Sequence, residues 1–366
     1  MISPLHDVTR RYGAHFSPAF FGEETPEHYG DPQAEYGHAL ENAVVIDASH
    51  QGKLELSGPD APAFLHNLCT NNITGLPLGG GCEAWFCDHR AKAQGHAFIY
   101  HVLIENGRHA FKLDMEPGQN EPLLKHLDRH LISEQVEIID QTPLLAQVHI
   151  GGRHARSILA ALVPGAIPDL QEFMHMERAI DAEILCQIRR HDSLGLPGYD
   201  LLCQNHQAEK LWDRIVAAGA KPAGRTATDV LRMEAGLALY GIDVDADRFV
   251  MEVPHALRGV SYNKGCYLGQ EPIVMARDRA GFVSRAFLGV KVLHHQTLTP
   301  GATLWADKTK VGLVTSSVYS PRLGAPLALA YIQRGFQDPG RRLSVSITSG
   351  QIEVEVLPFP PVGSLM

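Results

Sequence analysis

Beyond residue 283 the hydrophobic pattern changes period, and this change constrains the fold more than any other feature of the chain. FLGVKV, ATLWAD, KVGLVTSSVYS, LALAYI, RLSVSIT and IEVEVL are short strand-like runs parted by Gly, Pro and Ser. No helix-period run interrupts them, and Ser349-Gly350 suits a hairpin turn. The expectation for residues 283–366 is a small all-β domain, a barrel.

The preceding residues read differently. Residues 1–40 are polar with scattered Pro and Gly, and are expected to form an N-terminal arm with little regular structure. AVVIDAS and KLELSG read as strands. Asp60 is placed to cap a helix whose apolar positions are Ala61, Phe64, Leu65 and Leu68, one helical face. EAWFC, HAFIYHVL, HAFKLDM, VEIID, LAQVHIGG, EILCQIRR and YDLLC read as further strands. Helices are expected around Leu123–Leu127, Ala155–Leu162 and Ala208–Ile215, the last stopped at Gly219. No βαβ rhythm repeats, so residues 41–282 are expected to be α+β rather than a dinucleotide-binding arrangement.

At 366 residues the chain is long enough for two or three domains. Its net charge of −9 excludes a globally basic surface for nucleic acid or anionic membranes. No run approaches the ~18 apolar residues of a membrane helix. The N-terminus lacks the pattern of a signal peptide, so the expected location is cytoplasmic. The six cysteines form no C-x-x-C pair and fit no zinc spacing. Walker A, G-x-S-x-G and G-x-G-x-x-G patterns are missing. A Ser-His-Asp or Cys-His-Asp site is open to a chain with twenty histidines, but the sequence places none of them beside Cys266.

Two dense stretches remain. In DVLRMEAGLALYGIDVD, residues 229–245, Arg232 carries a planar fork that suits a carboxylate or carbonyl, either a ligand's or a structural neighbour's. In KGCYLGQE, residues 264–271, Lys264 and Cys266 precede a helix that begins near Pro272, with Gly281 as its expected C-terminal cap. A helix N-terminus and a nearby ammonium both favour thiolate. The competing reading of Cys266 is a buried apolar filler.

Together these stretches resemble the folate-binding superfamily of the glycine-cleavage T-protein, from about residue 44 to 357. The resemblance rests on KLELSGPDAPAFLHNLCTNNI, LRMEAGLALYGIDVD and VGLVTSSVYSPRLGAPLALAYI, in that order. KGCYLGQE is similar to the K-G-C-[FY]-x-G-Q-E signature of the YgfZ-type branch, whose eukaryotic relatives assist iron–sulfur assembly. The resemblance implies two interleaved α+β lobes and a C-terminal barrel around a central tetrahydrofolate channel. It implies Cys266 as functional thiol, Arg232, Tyr100, Lys264 and Tyr267 as folate-side residues, and no resident metal. Folate and iron–sulfur proteins or their assembly machinery are the implied partners.

The departures from the family pattern bear on activity. Aligning Tyr100 with the family's strand tyrosine puts Gly95 and His96 where the transferases carry acids. HDSLGLPGYDL puts Leu196 where they carry a pterin-gripping Glu. The expectation is therefore a folate-binding protein without the glycine-cleavage reaction. The alternatives are a tetrahydrofolate-dependent aminomethyl-, methyl- or demethyltransferase, or a partner protein that has lost folate.

Overall fold

The computed structural model describes residues 2–20, 22–278, 283–347 and 350–363. The chain forms two compact units. The first comprises Met1–Phe86, Gly95–Thr228 and Asn263–Tyr267; the second comprises Cys87–Gln94, Asp229–Tyr262 and Leu268–Met366.

The first unit holds, among the described residues, two large mainly antiparallel sheets besides a two-stranded one. One has six strands in the order His175–Ala179, Leu185–Arg190, Gly198–Gln204, Leu145–Gly151, Val44–Asp47 and Lys221–Pro222. The Lys221–Pro222 pairing with Val44–Val45 is parallel. Helices Ala155–Leu162 and Ala208–Ala217 cover this sheet because their apolar residues fall on one stripe. Ile158, Leu159, Leu211, Trp212 and Ile215 all enter a core with Val148, Ile150 and Leu201. Fully burying each such aliphatic side chain stabilises the unit by about 1.5–3 kcal/mol. The other sheet has five strands in the order Gly81–Cys87, Ala93–Leu103, His109–Met115, Gly52–Ser57 and Glu137–Asp140. The α+β class expected from the sequence is the class observed.

The N-terminal segment departs from its expected irregularity. It forms the helix His6–Arg11, the hairpin His15–Phe20 with Glu23–His28, and the helix Pro32–Glu41. Leu5 and Val8 are buried in the core of the six-stranded sheet. One apolar anchor on a six-residue helix, with Leu5 at its N-cap, is too little to produce a legible period. The second helix was readable: Asp31 accepts from the amides of Gln33 and Ala34, and Pro32 occupies the first turn. Asp60 does not cap the helix Ala61–Leu68. Its carboxylate accepts instead from the Gln135 amide at 2.8 Å, a partner 75 residues away.

In the second unit the six C-terminal runs close a barrel of strands Arg285–Val292, Ala325–Gln333, Thr309–Ser320, Thr303–Ala306, Arg342–Ile347 and Gly350–Val356, in that order. Closure pairs Val290 with Val356, and all barrel pairings are antiparallel. Val290, Val314, Ala330, Val345 and Val354 fill the interior. Ser349 of the expected hairpin turn and Gly281 of the expected helix cap lie outside the described residues. Among the described residues no helix is long and apolar enough to cross a membrane.

Candidate functional site

The KGCYLGQE loop separates the roles of its lysine and its cysteine. Lys264 Nζ donates to three backbone carbonyls, those of His66, Cys69 (2.8 Å) and Asn71 (2.8 Å). His66 lies in the last turn of the helix Ala61–Leu68 and Cys69 is its C-cap. The ammonium thus satisfies carbonyls that a helix end leaves unpaired. An ammonium has three donors, and all three are used. The Tyr267 ring, itself buried, lies 4.7 Å from the same nitrogen. Burial lowers the Lys264 pKa, against the opposing pull of Cys69 and Cys82. The expected cation–thiol pair is therefore not what forms, because Lys264 spends its N–H groups on tying the loop to a helix end.

Cys266 is exposed, which overturns the reading of it as an apolar filler. Of the other cysteines, Cys69, Cys87, Cys186 and Cys203 are buried and Cys82 is half-buried. Burial pushes the Cys69 thiol up to about 11, although Lys264 opposes the shift. Gly269 has φ +85°, and a Cβ there would meet the Asp88 carbonyl oxygen at 2.6 Å, so the turn before the helix Gln270–Asp278 requires glycine. Gly265 carries no such constraint, since a Cβ there would find nothing nearer than 3.9 Å.

Tyr100 lies in the core of the first unit rather than on an open wall. It is fully buried, and the Arg189 guanidinium sits 4.2 Å from its ring centre. Arg189 donates to Asp114 Oδ2 and, through Nε and Nη2, to Gln187 Oε1 at 3.1 and 2.6 Å. Asp114 Oδ1, the Tyr100 hydroxyl and Gln147 Oε1 are buried without a hydrogen-bond partner among the described residues. Lys53 stands opposite Asp114 in the sheet register and donates to the Ser49 and Gln51 carbonyls at 3.1 and 2.7 Å. Burial lowers its pKa to about 8, with Asp114 opposing and Arg189 reinforcing the shift. Asp114 Oδ1 and Gln147 Oε1 are acceptors suited to N–H donors. Each costs about 1–3 kcal/mol while unpaired.

The strand position expected to lack an acid is served by a neighbour. His96 Nε2 lies 2.9 Å from Glu83 Oε1, and both side chains are buried. Leu196 is buried and supplies no carboxylate. The sequence reading missed Glu83, Asp114 and Arg189. Charged residues at buried positions of otherwise apolar strands were the available signal.

Arg232, in the second unit, is buried and fully engaged in structural contacts. Nε donates to Asp229 Oδ1 at 2.7 Å, and Nη1 donates to Asp243 Oδ2 and the Leu237 carbonyl at 3.0 and 3.1 Å. Asp243 Oδ1 accepts in turn from the hydroxyls of Thr315 and Ser316 at 2.5 and 2.6 Å. Of its two readings, the structural one describes this geometry.

A cavity of about 430 Å³ in the first unit is lined by Ser3, Ser49, His50, Asn120, Thr142 and Asn205 among others, and by none of the expected site residues. Among the described residues no group of three or more His, Cys, Asp or Glu side chains is placed to hold a metal ion.

Comparison with known proteins accounts for nearly the whole chain. The family model for the GCVT N-terminal domain matches residues 5–255, and that for the glycine cleavage T-protein C-terminal barrel domain matches residues 285–362. An aminomethyltransferase of Rubrobacter xylanophilus is 27% identical over 362 residues, covering 98% of this chain and 93% of that relative. One from Bacillus mycoides is 25% identical over 362 residues, covering 98% and 97%. The fold is similar to the crystal structure of glycine cleavage system aminomethyltransferase T from Bartonella henselae, with a TM-score of 0.88 at 23% identity over 100% of this chain and 98% of that one. The chain belongs to the glycine-cleavage T-protein family.

Proposed function

We propose that this chain is a tetrahydrofolate-binding protein of the YgfZ type, which supports assembly or repair of iron–sulfur proteins through Cys266. One observation carries the reading: Cys266 is exposed on a loop anchored by three Lys264 hydrogen bonds. A thiol held at the surface by a fixed loop is available to a partner protein as a nucleophile or soft metal ligand. Asp114 Oδ1 and Gln147 Oε1 are acceptors of the type that the amino–amidine edge of a pterin requires, and they would hold the folate in the first unit. Tetrahydrofolate, when bound, carries one-carbon units; this chain's residues bind and orient it. Tyr100 and Tyr267 act by supporting the backbone of the first unit, and Arg232 that of the second.

The second reading is a tetrahydrofolate-dependent transferase, favoured by the aminomethyltransferase names of the full-length relatives. Against it, His96 and Leu196 stand where that reaction's strand acid and turn Glu are expected, although Glu83 brings a carboxylate to His96. Complementation separates the two. In cells lacking the native protein, Cys266→Ala is expected to leave iron–sulfur enzyme activities depressed. Full recovery by that variant would remove the thiol role, and a labelled aminomethyl product would establish the transferase. Calorimetry with tetrahydrofolate tests both, since no heat at high micromolar ligand defeats either reading.

A further inference from the structure

A second cluster of chemistry-bearing side chains lies in the six-stranded sheet, away from the cysteine loop in sequence. His149 and Asp200 face each other in the register of strands Leu145–Gly151 and Gly198–Gln204. His149 Nδ1 is 2.9 Å from Asp200 Oδ1, and His149 Nε2 is 3.2 Å from Ser193 Oγ. His191 Nδ1 is 2.8 Å from Asp200 Oδ2. Burial works to raise the Asp200 pKa, but the charges and hydrogen bonds of His149 and His191 outweigh it, and the carboxyl is held well below its usual range. An ionised carboxylate only accepts, so each Nδ1 carries the proton. His149 then presents its Nε2 to the Ser193 hydroxyl.

The surrounding backbone is shaped to this arrangement. A Cβ on Gly198 would fall 2.6 Å from His149 Cε1, and a Cβ on Gly151 would fall 2.7 Å from His149 Nε2. These two glycines are themselves register partners, so the imidazole lies over a gap that side chains at either position would fill. Ser193 is half-buried in a tight turn closed by the Gly195 amide donating to the Asp192 carbonyl at 2.9 Å. Asp192 fixes the turn further by accepting from the Gly198 amide and from Arg190, both at 3.0 Å. Phe173 adopts φ +67°, a strained conformation for a bulky residue. Its ring stacks on Phe98 at 5.5 Å, and Phe98 lies 4.3 Å from His191. Phe98 belongs to an apolar cluster with Tyr100 and Val102, and Phe173 packs against it.

We propose that Ser193, His149 and Asp200 form a serine-nucleophile site that hydrolyses small carboxylic esters. Ser193 Oγ bonds to the ester carbonyl carbon while its proton passes to His149 Nε2. The bond from that carbon to the alcohol oxygen breaks, and the departing oxygen takes the proton. Water then attacks the acyl-serine, giving its proton to His149. The carbon–Oγ bond breaks, Ser193 recovers the proton, and a carboxylic acid leaves. Asp200 stays ionised throughout and holds the imidazolium. His191 is a positioning residue that fixes the second oxygen of Asp200.

The test treats the full chain with a fluorophosphonate probe, maps the labelled residue by mass spectrometry, and follows hydrolysis of p-nitrophenyl butyrate. The expected label is on Ser193, and Ser193→Ala and His149→Gln are expected to lower hydrolysis by roughly 100-fold or more. Ser193→Ala is expected to melt like the parent, because it alters one half-buried hydroxyl on a turn. Parent protein that takes no label at Ser193, or a folded Ser193→Ala variant that hydrolyses the ester at the parent rate, overturns the proposal. The mapping on the unmodified chain decides the matter even where a variant does not fold.

Discussion

Two buried ion networks in this protein are built from the same residue types and end differently. Around Arg232, both oxygens of Asp243 are used: one by the guanidinium and the Leu239 amide, the other by Thr315 and Ser316. Around Arg189, Asp114 offers one oxygen to the guanidinium and leaves the other unpaired among the described residues, as is the hydroxyl of Tyr100, whose ring faces the guanidinium. A closed network holds the backbone of the second unit together. An open one retains acceptors whose desolvation nothing in the described protein offsets, which is the condition a ligand would relieve. The arginine singled out in the sequence belongs to the closed network. The residues of the open one passed unnoticed, apart from Tyr100.

The largest expected effect tests the closed network. Arg232→Met strands Asp243 and Asp229 without their cation and should destabilise the fold by about 3–5 kcal/mol, read from the urea midpoint. A loss near zero would show that the network is not structural.

Asp114→Asn tests the open one. It should weaken tetrahydrofolate about tenfold or more in calorimetry, since a hydrogen bond to a charged group contributes about 1.5–3 kcal/mol. Its cost in stability should be smaller than that of Asp243→Asn, and the reverse order would invert the comparison.

Lys53 adds a pH dependence to the open network. Its folded pKa of about 8 lies below its ordinary value of 10.5. Between those values the unfolded chain binds the proton that the native chain has released, so Lys53 makes stability rise with pH there. Below about 8 both states are charged and the burial cost stands in full. Melting temperatures across this window should therefore rise more steeply in the parent than in Lys53→Met.

The smallest effect is expected at the exposed thiol. Cys266→Ala should change stability by no more than about 0.5 kcal/mol, because it removes no buried contact. It should also abolish the fastest-reacting thiol in a maleimide titration of the native protein, where four of the other five cysteines are buried.

The legibility of these regions in the sequence follows from the range of their interactions. The barrel was readable because each of its strands carries its own local pattern, and antiparallel neighbours close with short turns. The helices Ala155–Leu162 and Ala208–Ala217 were readable for the same reason, since their apolar stripes fall within single windows. The segment His6–Arg11 was not, because its burial depends on Leu5 and Val8 meeting Val45 and Trp212 from distant parts of the chain. Lys264 could be noticed in KGCYLGQE, but its carbonyl partners lie 193 to 198 residues away. The histidines offered too many candidates for any one to be chosen.

The sequence by itself determined the α+β class, the C-terminal barrel, the family likeness and the position of a distinctive thiol. All of these rest on local periodicity or contiguous residues. The tertiary structure alone decided that Cys266 faces outward while Lys264 is consumed by a helix end. It also decided that Arg232 is paired on both sides, and that Ser193, His149 and Asp200 fall into line. Those outcomes depend on strand register and on which buried donor meets which acceptor, and a residue's own neighbours in the chain carry no record of either.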